Sequence, residues 1–317
     1  MSEPPPRPGC YRSSDTTAPI PAVPGSVALP VTTAVPLTQT MERVLGPCDV
    51  VSVQQTPRGC CQEAFGCTAR SEYRLYAGFT ENMRNGILPG ANVESDPLQI
   101  GHMLEESPFC DRCFWSGMRR FSIPITVPDE NGEVMMYNEK DFSLPTHCIL
   151  HGDNGDIWIP CCCNLPTLKT YTSDRTYVGK TKYVCDEYLC VPKLRTYDAN
   201  DNPMYMIRPE TCCAGCCPVC GTGCDKGSQC CYLPFYIHDH STMQIVAGAP
   251  GGKGMPAQIR NVWAGFKREC CTSADNFFVV FPEGSSTALK AALLGSTALL
   301  DFTVFEEKQG GCLIVSW

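Results

Sequence analysis

Thr287-Ala-Leu-Lys290-Ala-Ala-Leu-Leu-Gly295-Ser-Thr-Ala-Leu-Leu300-Asp301 is the stretch on which the architecture turns. Its Ala and Leu residues are strong helix formers, and Ser285, Ser286 and Thr287 are candidate N-caps. The pattern predicts a helix over about 287–305. Ten residues separate Lys290 from Asp301, a helical rise of about 15 Å, whereas a bilayer core is about 30 Å thick and takes roughly 17–25 apolar residues. At about 100° per residue the two charges fall within about 20° of each other, so they share one stripe. The cation lies near the start and the anion near the end, the unfavourable order for the helix dipole. A helix apolar on every side but one narrow stripe is expected inside protein rather than against lipid.

Ahead of this helix the chain reads as hairpins. Phe121-Ser-Ile-Pro-Ile-Thr-Val127 alternates, Pro128-Asp-Glu-Asn-Gly132 turns, and Glu133-Val-Met-Met-Tyr137 returns. Leu168–Tyr171 with Thr176–Val178, and Lys193–Tyr197 with Met204–Ile207, repeat the pattern around Asp-, Asn- and Ser-containing turns. Period-two runs separated by such turns signal antiparallel strands, and many short strands without intervening helices favour a sandwich or closed barrel. The fold class is therefore mainly β, and strands wrapped around the single apolar helix are the economical arrangement.

The chain has 317 residues, 43% hydrophobic and 18% charged, with a net charge of −8. An acidic balance gives no general attraction to nucleic acid. Residues 1–57 hold 11 of the 27 prolines and are expected to form a disordered tail. Pro5 and Pro8 flank Arg7 at the spacing of an SH3- or WW-domain ligand, and a weak helical signal runs from Thr40 to Leu45. The expected division is a tail over 1–57, a barrel domain over 58–308 and a C-terminal tail over 309–317. The opening residues lack the positive start and apolar run of a signal peptide, so the thiols are expected in a reducing compartment.

There are 24 cysteines, and 13 stand directly beside another. Adjacent Cα atoms lie about 3.8 Å apart, below the usual disulfide span of about 4.4–6.8 Å. Metal ligation, S-acylation and core packing remain open for them. Cys213/Cys216 and Cys217/Cys220 are successive Cys-x-x-Cys steps of the kind that hold structural zinc; Cys110/Cys113 offers another, and His238 and His240 could contribute. Gly251-Gly252-Lys253-Gly254 lacks the earlier glycine and following Ser/Thr of a phosphate loop. No nucleophile–base or paired-carboxylate arrangement stands out, so an enzyme is not expected.

Asn261-Val-Trp263-Ala-Gly265-Phe-Lys-Arg268, then Ala274-Asp275-Asn276-Phe277, then Phe281-Pro282 resemble the C-terminal signature of the phospholipid scramblase family. Lys290-Ala291, Gly295 and Leu300-Asp301-Phe302 continue the resemblance, which covers roughly 60–308 with an expected insertion at Asn82–Leu104. It implies a tubby-like barrel of about twelve antiparallel strands enclosing the C-terminal helix. It implies ATP-independent, bidirectional and calcium-stimulated movement of phospholipids between membrane leaflets. It also implies palmitoylation that holds the protein at the cytoplasmic face of the plasma membrane or another membrane; a nuclear pool stays open.

This chain departs from the family at the calcium loop. The counterpart runs from Ser273 to Gly284, and only Asp275, Asn276 and Glu283 offer acidic or amide oxygens there. Calcium takes about six to eight oxygens, while Phe277, Val279 and Phe281 alternate as a strand would, so the site is degraded. Cys161, Cys162 and Cys163 occupy the place of the palmitoylated cluster, with core packing as the alternative. Lys290 and Asp301 form the polar stripe of the enclosed helix. The rival to lipid translocation is a membrane-tethered, lipidated adaptor whose partners bind the Pro-rich tail.

Overall fold

The computed structural model describes residues 37–56, 70–78, 98–115, 118–144, 147–152, 155–160, 162–185, 191–212, 217–218, 233–262 and 276–305, all within the compact unit that begins at Ala34. The chain enters through a short helix, α1 (Gln39–Leu45), and the strand β1 (Val50–Gln55). There follow β2 (Glu72–Ala77), β3 (Gln99–Leu104), the six-residue helix α2 (Phe109–Phe114), β4 (Phe121–Val127) and β5 (Glu133–Lys140). After the outlying hairpin β6 (His147–Gly152) and β7 (Gly155–Pro160) come β8 (Thr167–Thr172), β9 (Tyr177–Tyr183), β10 (Leu194–Tyr197) and β11 (Pro203–Pro209). A second outlying pair, β12 (Thr211–Cys212) and β13 (Cys217–Pro218), precedes β14 (Pro234–Asp239), β15 (Gln258–Val262), β16 (Asn276–Val280) and the helix α3 (Thr287–Leu300).

Twelve strands close into one antiparallel barrel in the order β1, β16, β15, β14, β11, β10, β9, β8, β5, β4, β3, β2. All three hairpins read from the sequence are present, as β4–β5, β8–β9 and β10–β11. Their alternation follows from the pleat, which sends successive side chains to opposite faces. In β4, Phe121, Ile123, Ile125 and Val127 are buried and the residues between them only partly so. β16 differs: all five of its residues are buried. Phe277 and Val279 join the main core, while Phe278 and Val280 pack with Val50 in a smaller cluster on the other face.

α3 runs inside the barrel. Ser286 caps it, its Oγ accepting from the Leu289 N–H at 3.4 Å. A π-helical turn, Asp301–Phe305, continues it. Counted together, Thr287–Phe305 reaches 19 residues, long and apolar enough to cross a membrane by length and composition, but 89% of an 18-residue stretch of it is buried in the barrel. Enclosure rather than shortness is what sets this helix apart. Gly295 marks its closest approach to the wall: a Cβ there would lie 2.8 Å from Leu168 Cδ2, 3.0 Å from Thr170 Oγ1 and 3.1 Å from Asn138 Oδ1.

Two sequence expectations are corrected. The folded part does not start after residue 57, because β1 at Val50–Gln55 closes the barrel between β2 and β16, and α1 precedes it where the weak helical signal lay. Nor is Asn82–Leu104 insertion throughout, since its last six residues form the barrel strand β3. Residues 79–97, like most of the Pro-rich segment with Pro5 and Pro8, lie outside the described residues.

Gly295→Val tests the enclosure. The tip of Leu168 can turn away, but Thr170 donates to Asn138 Oδ1 at 2.9 Å and those two resist displacement. Overpacking of this kind costs about 1–3 kcal/mol. The urea midpoint should fall with an unchanged slope, whereas an unaltered midpoint would place the helix away from the β5–β8 wall.

Candidate functional site

The polar stripe of α3 is satisfied atom by atom. Lys290 Nζ donates to the carbonyls of Gly46 at 2.7 Å and Leu45 at 3.4 Å, the C-terminal end of α1, where the helix dipole favours a cation. It also lies 5.7 Å from the centre of the Phe281 ring, and Thr287 Oγ1 donates to Glu42 Oε2 at 2.6 Å. In mid-helix, Ser296 Oγ donates to its own i−4 carbonyl and meets the hydroxyls of Thr181 and Thr196. At the far end the Tyr73 hydroxyl donates to Asp301. Lys290 and Asp301 are eleven residues apart on the chain and bind different partners. The stripe therefore docks the helix on α1, β9, β10 and β2 in turn.

A second buried polar assembly escaped the sequence reading. Glu105 and Arg119, both fully buried, form a two-pronged ion pair with N–O distances of 2.7 and 3.0 Å. The Ser71 N–H and the Ser107 hydroxyl also donate to Glu105, Lys140 Nζ donates to the Arg119 carbonyl at 2.9 Å, and the Arg119 guanidinium lies 4.8 Å from the centre of the Phe302 ring. Burial pushes the Glu105 carboxyl up, but the hydrogen bonds and charge of Arg119, with Ser107 and Ser71, outweigh it and hold the group below the usual carboxylate range. Arg and Glu fourteen residues apart form no local motif, which is why composition and spacing gave no warning. The network fixes the loops around α2 to the last turn of the core helix.

The cysteine triplet is divided. Cys161 lies outside the described residues. Cys162 is disulfide-bonded to Cys185, with Cα atoms 5.8 Å apart, a pairing that the cysteine spacing did not announce. The β8–β9 hairpin explains the meeting, since Cys162 precedes β8, Cys185 follows β9, and Tyr183 N–H bonds the Pro166 carbonyl between them at 2.9 Å. Cys163 is free and exposed. Its neighbour Asn164 donates to the Phe142 carbonyl at 3.2 Å, and Phe142 packs edge-on against Trp115 at 5.5 Å. Both rings are more than 40% exposed.

Of the calcium candidates, Asp275 lies outside the described residues. Asn276 is buried at the start of β16 and Glu283 is exposed in the turn beyond its end. Six residues stand between those positions, four of them extended strand at about 3.3 Å each, so the structure does not bring the two together. Among the zinc candidates Cys213, Cys216 and Cys220 are outside the described residues, and Cys217 pairs in register with Cys212 in β12–β13. Cys110 is free and exposed on α2, whereas the Cys113 side chain is not described. His238 is buried in β14, while His240 sits in the turn after it, so the two do not share a strand face. Burial, aided by Arg208, pushes the His238 pKa down to about 4.

The Scramblase family model matches residues 249–307, the span of β15, β16, the helix α3 and its π-turn. The chain is 29% identical over 214 residues to human phospholipid scramblase family member 5, covering 67% of this chain and 64% of that protein. It is 26% identical over 204 residues to mouse phospholipid scramblase 1, covering 64% and 50%. These matches support the scramblase family. A 52-residue segment is 41% identical to human phospholipid scramblase 2. The chain thus spans between half and two thirds of the length of the first two scramblases, and no solved structure matches it.

Within this barrel Glu105 and His238 predict distinct responses. Glu105→Gln leaves Arg119 charged and buried, a loss of about 3–5 kcal/mol for breaking one side of such a pair, read by urea unfolding at neutral pH; a loss under 1 kcal/mol would contradict the pairing. His238 is neutral in the fold down to about pH 4, whereas in the unfolded chain it takes a proton near pH 6.5. The unfolded state then binds more protons, so stability should fall as pH drops from 6.5 to 4. His238→Gln should flatten that window, and an unchanged slope would contradict the assignment.

Proposed function

We propose that this protein moves phospholipids between membrane leaflets without ATP and in both directions, while held on the cytoplasmic face of a membrane. The family match over the barrel's core segment supports the activity. The observation that carries the membrane geometry is the exposed thiol of Cys163 beside the exposed Trp115–Phe142 pair. Aromatic rings of this kind favour the headgroup level. An acyl chain contributes about 0.8 kcal/mol per buried CH₂, and two chains anchor stably where one does not. With Cys162 bonded to Cys185, Cys163 and Cys161 are the pair that would carry palmitate.

A headgroup crossing hydrocarbon meets the cost of desolvating its polar and charged groups. Since α3 is filled around by the barrel, the lipid path runs along the outer wall, where an anchored barrel thins the bilayer, and not along the helix. Calcium stimulation, which the family resemblance implies, is the variable of the test. The adaptor reading draws on the same enclosure: a helix buried this deeply has no need to enter lipid, and the tail would then engage SH3- or WW-type partners.

Fluorescent-phospholipid flip in vesicles carrying the purified full chain, with and without calcium, tests the proposal. Flip faster than in empty vesicles supports it; no acceleration in either condition overturns it and leaves the adaptor. Removing residues 1–33, ahead of the compact unit, should spare lipid flip and abolish SH3- or WW-domain binding if the tail is the adaptor's arm. Hydroxylamine should release acyl mass from the cell-derived protein, and Cys163→Ser should lower that mass by one chain.

A further inference from the structure

Away from the stripe and the anchor, three ligand-type side chains from three separate segments converge on the outer wall. Glu72 opens β2, His102 lies in β3 and Glu130 sits in the turn between β4 and β5, with their ligand atoms all within 4.8 Å of one another. Tyr73 and Met103 belong to the core, so the alternating pleat sends Glu72 and His102 to the outer face. His102 is nonetheless buried, its side chain 7% exposed, with Nε2 3.0 Å from Glu72 Oε1. A histidine buried on the outside of a barrel, with a carboxylate on its ring nitrogen and a second within reach, is a coordination set.

The turn that carries Glu130 is built to hold its place. Thr126 Oγ1 donates to the Asp129 carbonyl at 2.6 Å and the Asn131 N–H to Asp129 Oδ1 at 2.9 Å. A Cβ at Gly132 would lie 1.8 Å from the Val127 carbonyl oxygen, so only glycine closes the turn this way. The site also spans a sparse seam: β3 and β4 share two register pairs, His102–Thr126 and Met103–Ile125, and the isolated bridge Glu106–Ser122.

We propose that Glu72, His102 and Glu130 bind one divalent transition-metal ion of the zinc type, which clasps β2, β3 and the β4–β5 turn across that seam. Zinc binds imidazole nitrogen and carboxylate oxygen at about 2.0–2.2 Å, which sets tetrahedral ligands about 3.3 Å apart. The His102–Glu72 pair is close to that spacing at 3.0 Å, and the carboxylate of exposed Glu130 lies within 4.8 Å of both. One imidazole and two carboxylates suit zinc, cobalt or manganese better than calcium, which asks for about six to eight oxygens. Arg74 faces His102 in register, and the two carboxylates outweigh its charge. Three protein ligands leave the fourth position to water.

Co²⁺ titration of the purified full chain reads the site without ambiguity from its cysteines, because thiolate ligands add a charge-transfer band that nitrogen and oxygen ligands lack. One equivalent should bind without that band and raise the melting temperature by about 5 °C at saturating metal, while Ca²⁺ at the same concentration should not. Glu130→Gln, in an exposed turn, should weaken this equivalent at least tenfold, and His102→Gln should abolish it with the metal-free melting curve as control for folding. Identical titrations for the wild type and Glu130→Gln would overturn the site and leave His102–Glu72 a plain ion pair. A larger melting shift with Ca²⁺ than with Co²⁺ would overturn the class of ion.

Discussion

Enclosing α3 is the constraint on which the other features depend. An apolar helix can sit inside a barrel only if each of its polar groups meets a partner there, since an unpaired buried donor or charge costs more than most single contacts return. The chain meets this demand along the whole length of the helix: Lys290 on the end of α1, Ser296 against two threonine hydroxyls, Asp301 under Tyr73. Twelve strands supply the apolar wall between those points. The short helix α1 belongs to this arrangement, because its C-terminal carbonyls are what make a lysine tolerable 7% exposed.

The same enclosure shapes the functional argument. A helix held by specific bonds at both ends does not leave the barrel at small cost, so under the proposed function lipid would meet the outer surface instead. There the exposed aromatic pair and the free Cys163 share one neighbourhood, tied through Asn164 and Phe142. The Glu105–Arg119 pair joins the two chain segments that flank α2, and its guanidinium lies over the Phe302 ring. It couples the loops of that surface to the last turn of the core helix.

Much of this was visible in the residues alone. The β4–β5 hairpin could be read because its apolar residues alternate strictly and a Pro-Asp-Glu-Asn-Gly run interrupts them. The enclosed helix could be read because two charges in one stripe are wrong for lipid. β1 was hidden, since Val50-Val-Ser-Val53 is short and follows a proline-rich run that reads as tail. β3 was hidden because it follows a stretch that looks like insertion. The Glu105–Arg119 pair and the Glu72–His102–Glu130 group exist only once non-adjacent segments meet. The Cys162–Cys185 bond likewise follows from strand register, which cysteine spacing does not encode.

The central claim is that the helix stays wrapped when the protein meets a bilayer. Vesicles containing a phospholipid with a photoreactive acyl tail test it directly: the protein is bound, illuminated, digested and the labelled peptides identified by mass spectrometry. Label on the segments carrying Trp115, Phe142 and Cys163, and none on residues 287–305, is the predicted result. Label within 287–305 would show lipid against the core helix and contradict the account.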